Sequence, residues 1–134
     1  MTTATDPVMM DDIFAAQQCA VEGQPYPPLA LRIDRIRRAL DATIANTQKI
    51  IDATAADFGK RHELTTIAAD LLYPVNHFKH AMKNVERWMK VEKRKADFPF
   101  NILGAKARVF YQPLGVVGIM APWNLPFALG YAPL

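Results

Sequence analysis

Only one cysteine, Cys19, occurs in the chain, so no internal disulfide can form and no cysteine framework can hold a metal. No stretch reaches the roughly 20 apolar residues that a membrane-spanning helix needs. The first thirty residues contain no lysine or arginine and carry Asp6, Asp11, Asp12 and Glu22. An N-terminus without a basic opening and an apolar run behind it lacks the form of a secretory signal, and the cytoplasm is the expected location. A Gly-x-Gly-x-x-Gly turn is missing too, so no phosphate loop is recognisable. His62, His77 and His80 make up the histidine content. His77 and His80 are one helical turn apart, but no third ligand is spaced to join them in a metal set.

What is present reads as one domain's worth of ordinary globular sequence. Apolar residues make up 51% and charged residues 22% of 134 residues, with a net charge of +3, enough to bury a modest core. Residues 1–26 hold a short amphipathic helix, Asp11 to Val21, which Asp11 or Asp12 could cap. A proline-stiffened connector, Gly23 to Pro28, follows. Cys19 could be a nucleophile or a small apolar residue; no histidine or lysine is near it in sequence to activate a thiolate.

Residues 27–96 predict two long amphipathic helices. Leu29, Ile33, Ile36, Leu40, Ile44, Ile51, Ala55 and Phe58 recur at three- and four-residue intervals, which predicts one helix of about eight turns. Pro28 suits its first turn and Gly59 its left-handed end. The triplet Asp57-Phe58-Gly59 also spells a kinase metal motif, but no kinase partner motifs accompany it. A second helix, about Glu63 to Val91, carries Leu64, Ile67, Leu71, Val75, Phe78, Met82, Val85 and Met89 on one stripe. Pro74 lies inside it and should bend it. Residues 97–113 predict a β-hairpin or arm, with an exposed edge strand in Lys106 to Gln112.

Residues 114–134 hold the most informative stretch. Leu114 to Ala121 is an unbroken apolar run, suited to a strand buried on both faces. Pro122-Trp123-Asn124-Leu125-Pro126 then forces a turn. That displays the Asn124 amide at the C-terminal end of the strand, where open α/β sheets place their ligands. From the residues alone, Asn124 is either a ligand-facing donor or part of an Asx-type turn that bonds its own backbone.

The run "QPLGVVGIMAPWNLPF", with "DFGKR", "DLLYPVNHFKHAMKNVERWM" and "ARVFYQPLG" upstream, resembles the aldehyde dehydrogenase superfamily, most closely its coniferyl aldehyde dehydrogenase branch. The resemblance covers roughly Pro27 to Leu134. It implies an α/β fold: long N-terminal helices, an oligomerisation strand and the first strand of a Rossmann-like NAD(P)-binding domain. It implies a cysteine, beyond these residues, that attacks an aldehyde to form a thiohemiacetal, and hydride transfer to NAD or NADP. A glutamate-activated water then releases the acid. Asn124 takes the role of oxyanion donor, and Met120, Ala121, Pro122 and Trp123 become neighbours of the cofactor. The 134 residues are then expected to be the N-terminal part of a longer enzyme, a homodimer or homotetramer, inactive alone because the catalytic cysteine and glutamate lie elsewhere.

A different class of function rests on charge. Lys79, Lys83, Arg87, Lys90 and Arg94 form a basic row, with Lys93 and Lys95 beside it. A small non-enzymatic helical protein could bind an anionic partner through such a face. The nearby aromatics Phe78 and Trp88 lie on or beside the apolar stripe and offer no stacking platform. The row therefore reads as a solvated face, with no nucleic-acid partner expected.

Overall fold

The structure, a computed structural model, describes residues 7–134. Helix α1 spans Pro7–Gly23, α2 Leu29–Ala45, α3 Thr47–Phe58 and α4 Glu63–Thr66. A π-helical turn, Ile67–Leu71, leads into α5, Leu72–Trp88. Strands β1 (Glu92–Arg94) and β2 (Ala107–Val109) precede a short α6, Pro126–Tyr131. Helices α2 and α5 pack on each other, and α6 packs on α5 and the π turn. The core is Leu40, Ile51, Leu71, Phe78, Val85 and Ala128. Among the described residues no helix is long and apolar enough to cross a membrane.

The long helix expected from Pro28 to Phe58 is divided. Asn46 (φ −105°, ψ 15°) separates α2 from α3, and its side-chain amide donates to the Ala42 carbonyl at 2.8 Å. Thr47 Oγ1 donates to the Ile44 carbonyl at 2.9 Å. Short polar side chains of this kind compete with the backbone for helical carbonyls and favour a break. The break shifts the buried face: Ile44 and Phe58, expected in the stripe, are exposed, while Thr43 and Thr54 are buried. Their hydroxyls are satisfied within the helices, donating to the Ala39 and Ile50 carbonyls at 2.8 and 2.6 Å. Both ends match expectation. Pro28 immediately precedes α2, and Gly59, at φ 74°, ends α3 with its N–H donating to the Ala55 carbonyl at 2.9 Å.

Pro74 is accommodated by a change of helix type. A proline has no N–H for the carbonyl four residues back, here that of Asp70, and its ring crowds that carbonyl. The turn directly upstream widens, and the Leu72 N–H donates to the Ile67 carbonyl, a π-type bond. Leu64, expected on the stripe, is exposed, whereas Asp70, Leu71 and Pro74 are all buried. The widened turn thus carries an aspartate into the interior.

The hairpin is antiparallel, with Glu92 opposite Val109 and Arg94 opposite Ala107. Its first strand lies where the basic row was expected to continue, so Arg94 stands on β1 and not on the helix. Arg94 and Tyr111 both hydrogen-bond the Glu92 carboxylate. Helix α1 begins before Asp11 and Asp12, which therefore lie inside it and do not cap it. Its residues from Met9 to Ala20, Cys19 included, are exposed.

The main departure concerns Leu114 to Ala121. Expected as a buried parallel strand, it forms no strand and pairs with nothing among the described residues. Leu114 is 91% and Met120 97% exposed. The reason is physical: a parallel strand needs neighbouring strands for its backbone groups and layers over both faces. Besides irregular segments, the rest of the described chain offers helices and one small hairpin. The apolar run has nothing here to pair with.

Candidate functional site

The turn after that run is formed as its prolines dictate. Trp123 and Asn124 occupy it, and Pro126 opens α6 at a position where a missing N–H costs nothing. The residue before the helix, Leu125, has no side-chain oxygen to cap the helix start. That function is supplied from a distant element. The Ala128 N–H donates to Asp70 Oδ1 at 3.0 Å, across 58 residues of sequence. A carboxylate at a helix N-terminus is favoured both as acceptor for an orphan N–H and as a negative charge there.

Asp70 is fully buried and therefore needs a counter-charge. Arg61, just after α3, supplies it: its Nη2 lies 2.5 Å from Asp70 Oδ2, with the arginine side chain 9% exposed. The other arm of the same guanidinium, Nη1, donates to the Asn124 carbonyl at 3.1 Å. The Phe58 ring lies under the guanidinium, 4.8 Å from centroid to Cζ. Planarity and a fixed fork of donors are what allow one side chain to hold two acceptors in this way. Asn124 and Ala128 are thus both tied to one buried ion pair.

Asn124 itself is exposed. Among the described residues its side-chain amide makes no hydrogen bond, whereas its backbone carbonyl is fixed by Arg61. Met120, Ala121, Pro122 and Trp123 are exposed as well, with Trp123 at 87%. Beside the turn, a cleft of about 350 Å³ opens between α3 and α6, bordered by Ile50, Thr54, Ile119, Pro126 and Tyr131.

Met120, Ala121, Pro122 and Trp123 lie beside one another on the surface. Exposed Met120 and Trp123, with the backbone of Ala121 and Pro122 between them, offer one apolar wall. A phosphate cradle is not formed, because Gly115 and Gly118 lie in an irregular segment with no helix beginning behind them. The described residues contain no cluster able to hold a metal ion. His62 caps α4, its Nδ1 accepting from the Leu64 N–H at 3.2 Å. His77 lies against Tyr73, and His80 against Trp88.

The Arg61–Asp70 pair is the part of the site that sequence reasoning missed. A signal existed. Asp70 falls three residues after Ile67 and four before Pro74, on the core-facing side of an amphipathic pattern. An acid there must find a partner or cost several kcal/mol.

The chain belongs to the aldehyde dehydrogenase family, whose sequence profile matches residues 3–133. Among its relatives, coniferyl aldehyde dehydrogenase of Pseudomonas sp. (strain HR199 / DSM 7063) is 43% identical over 106 residues, covering 79% of this chain and 21% of the relative. Proteins named probable coniferyl aldehyde dehydrogenase, from Caulobacter vibrioides and Pseudomonas aeruginosa, are 35% and 34% identical over 94% and 93% of this chain. Each of those matches covers 26% of the relative. The chain therefore spans about a fifth to a quarter of the length of these relatives.

Proposed function

We propose that this chain is the N-terminal part of an NAD(P)-dependent aldehyde dehydrogenase, acting on coniferyl or a similar aldehyde, in which Asn124 donates a hydrogen bond to the oxyanion formed at the substrate carbonyl. The observation that carries the proposal is the state of Asn124: its backbone is anchored by Arg61 and its amide has no partner among the described residues. A donor carried on an anchored backbone and otherwise uncommitted stabilises developing charge with less reorganisation at the moment of reaction. The names of the relatives support the aldehyde class and the coniferyl preference.

In this reading Asn124 Nδ2 points its N–H at the carbonyl oxygen as a thiolate from elsewhere in the enzyme adds to the carbon. Met120 and Trp123 form an apolar wall of the cofactor cleft, and Ala121 and Pro122 contribute backbone and small apolar surface. The bound nicotinamide supplies the hydride acceptor. The segment Leu114 to Ala121 becomes the first strand of a Rossmann-like sheet once neighbouring strands are present to pair with it.

Asn124→Ala in the full-length enzyme tests the assignment. Loss of one oxyanion donor typically lowers turnover roughly a hundred- to a thousandfold, about 2.7–4 kcal/mol. The Michaelis constant should move far less, because the ground-state carbonyl is a weaker acceptor. Melting temperature and cofactor affinity, measured on the same preparation, should stay close to those of the parent. Unchanged turnover in a stably folded variant would refute the role.

A further inference from the structure

We propose that Arg61 and Asp70 are positioning residues for Asn124, a buried clamp that sets where its amide stands during turnover. This rests on the reading of Asn124 as the oxyanion donor and goes beyond it by assigning the side chains that aim that donor. The contacts form a closed circuit: Asn124 carbonyl to Arg61 Nη1 at 3.1 Å, Arg61 Nη2 to Asp70 Oδ2 at 2.5 Å, and Asp70 Oδ1 to the Ala128 N–H at 3.0 Å. The circuit closes through the chain itself, from Asn124 to Ala128. Both ends of the segment that follows the turn are therefore held by one ion pair.

Three features separate this pair from an ordinary surface bridge. Asp70 is fully buried and Arg61 nearly so, whereas the Asp34–Arg38 and Glu86–Lys90 pairs are more than half exposed. Asp70 Oδ1 accepts the Ala128 N–H and Oδ2 meets Arg61 Nη2 as an ion-pair contact, while the buried Arg61 Nε has no hydrogen-bond partner among the described residues. The aspartate reaches the interior through the π turn Ile67–Leu71, a departure from regular helix of a kind often found at functional sites. A mere core aspartate would need only a counter-charge. This one also accepts the Ala128 N–H in the first turn of α6, which begins two residues after Asn124. The energetic logic is that of orientation: displacement of a reacting or stabilising group by about 1 Å can cost about a hundredfold in rate.

The test is a double-mutant cycle in the full-length enzyme, built from Arg61→Lys, Arg61→Met, Asn124→Ala and the combinations of each Arg61 change with Asn124→Ala. Lysine keeps a positive charge near Asp70 but lacks the planar fork that reaches the Asn124 carbonyl as well. Arg61→Lys should melt within a few degrees of the parent and lose at least about tenfold in kcat, with KM little changed. Arg61→Met should lose about a hundredfold. In the Asn124→Ala background neither Arg61 change should lower kcat much further, because the group being aimed has already been removed. A merely structural role predicts the opposite: multiplied losses, or losses that follow the folded fraction. Parent-like kcat in folded Arg61→Lys, multiplicative losses in the cycle, or failure of both Arg61 variants to fold would each overturn the clamp. The outcomes also separate the two levels of the reading. If Asn124→Ala lowers kcat and folded Arg61→Lys does not, the clamp alone falls. If Asn124→Ala leaves kcat unchanged, the oxyanion role falls and the clamp with it.

Discussion

The helical part from α2 to α5 and the stretch from Asp97 to Trp123 obey opposite rules of burial. In the first, apolar periodicity finds its partner within the chain: α2 and α5 pack, and Leu40, Phe78 and Val85 are buried between them. In the second, residues at least as apolar remain in water, with Ile102, Leu103, Leu114 and Met120 more than 70% exposed. Composition does not separate the regions, but the distance to a partner does. A helix satisfies its backbone internally and needs only one covering face, which a neighbouring helix supplies. An apolar strand must borrow hydrogen bonds and two covering layers from elements far away in sequence. The joint beyond the second region is polar: Arg61 and Asp70, from the helical part, hold Asn124 and Ala128, which follow it in the chain.

If that contrast is right, the same kind of truncation should have unequal effects in the two regions. Phe78 is 3% and Ile102 73% exposed. Phe78→Ala should destabilise by about 3–5 kcal/mol, through lost burial and the cavity left behind. Ile102→Ala should lie within about 0.5 kcal/mol of the parent, as surface substitutions usually do. Chemical unfolding of the two variants side by side is the measurement. Comparable losses would mean that the stretch around Ile102 is covered in solution.

A smaller effect sharpens the comparison at the level of the backbone. Gly59 ends α3 at φ 74°, in the left-handed region, whereas Gly118 has no positive φ; an added Cβ would meet nothing within 4 Å at either site. Gly59→Ala should therefore cost roughly 1–2 kcal/mol from strain alone. Gly118→Ala should be near neutral in this chain. Should Gly118→Ala prove the costlier change in a full-length enzyme, another element must pass close to that glycine there, as a packed sheet would require.

Legibility in the sequence followed the same division. The stop at Gly59, the turn at Pro122 to Pro126 and an edge strand around β2 were readable because each depends on residues adjacent in sequence, whereas the hairpin expected within 97–113 takes its first strand from Glu92–Arg94. The break at Asn46 was missed, since a continuous apolar stripe hid two polar side chains that compete for helical carbonyls. Pro74 was expected to bend a helix; the π turn is how this chain absorbs it, and periodicity cannot specify that choice. The strand expected at Leu114 to Ala121 depends on partners that the described residues do not contain. The exposed place of Asn124 in a turn was legible from the prolines that flank it. Asp70's core-facing position signalled a buried partner, but the links of Arg61 and Asp70 to the turn were not legible, because contacts across 63 and 58 residues leave no periodic trace.

The smallest effect is expected on the basic face, and it decides between two classes of protein. Lys79, Lys83 and Arg87 are exposed along α5, and the row continues only as far as Lys90, which pairs with Glu86 at 3.6 Å. Arg87 donates to Asn84 Oδ1 at 3.1 Å, a bond within its own helix. Arg87 borders a cleft of about 420 Å³ with Arg32, Glu92 and Tyr111, and Lys93, Arg94 and Lys95 border another of about 400 Å³ with Lys106 and Arg108, whereas Lys79 and Lys83 border neither. Exposed pairs of this kind contribute about 0–1 kcal/mol each. Replacing Lys83 and Arg87 together by glutamate should therefore leave the unfolding midpoint nearly unchanged, within about 0.5 kcal/mol. Helix content should be equally unaffected, since glutamate is as good a helix former as the residues it replaces. Any affinity for DNA or RNA should be weak in the parent, fall steeply with added salt and show no sequence preference, as expected for attraction to phosphate charge alone. A binding isotherm at physiological salt, run on parent and double variant, gives a clear decision. Tight, sequence-selective binding by the parent that disappears in the variant would make the face a binding surface in its own right. Weak binding in both would leave α5 as a helix whose inner side builds the core and whose outer side keeps the protein in water.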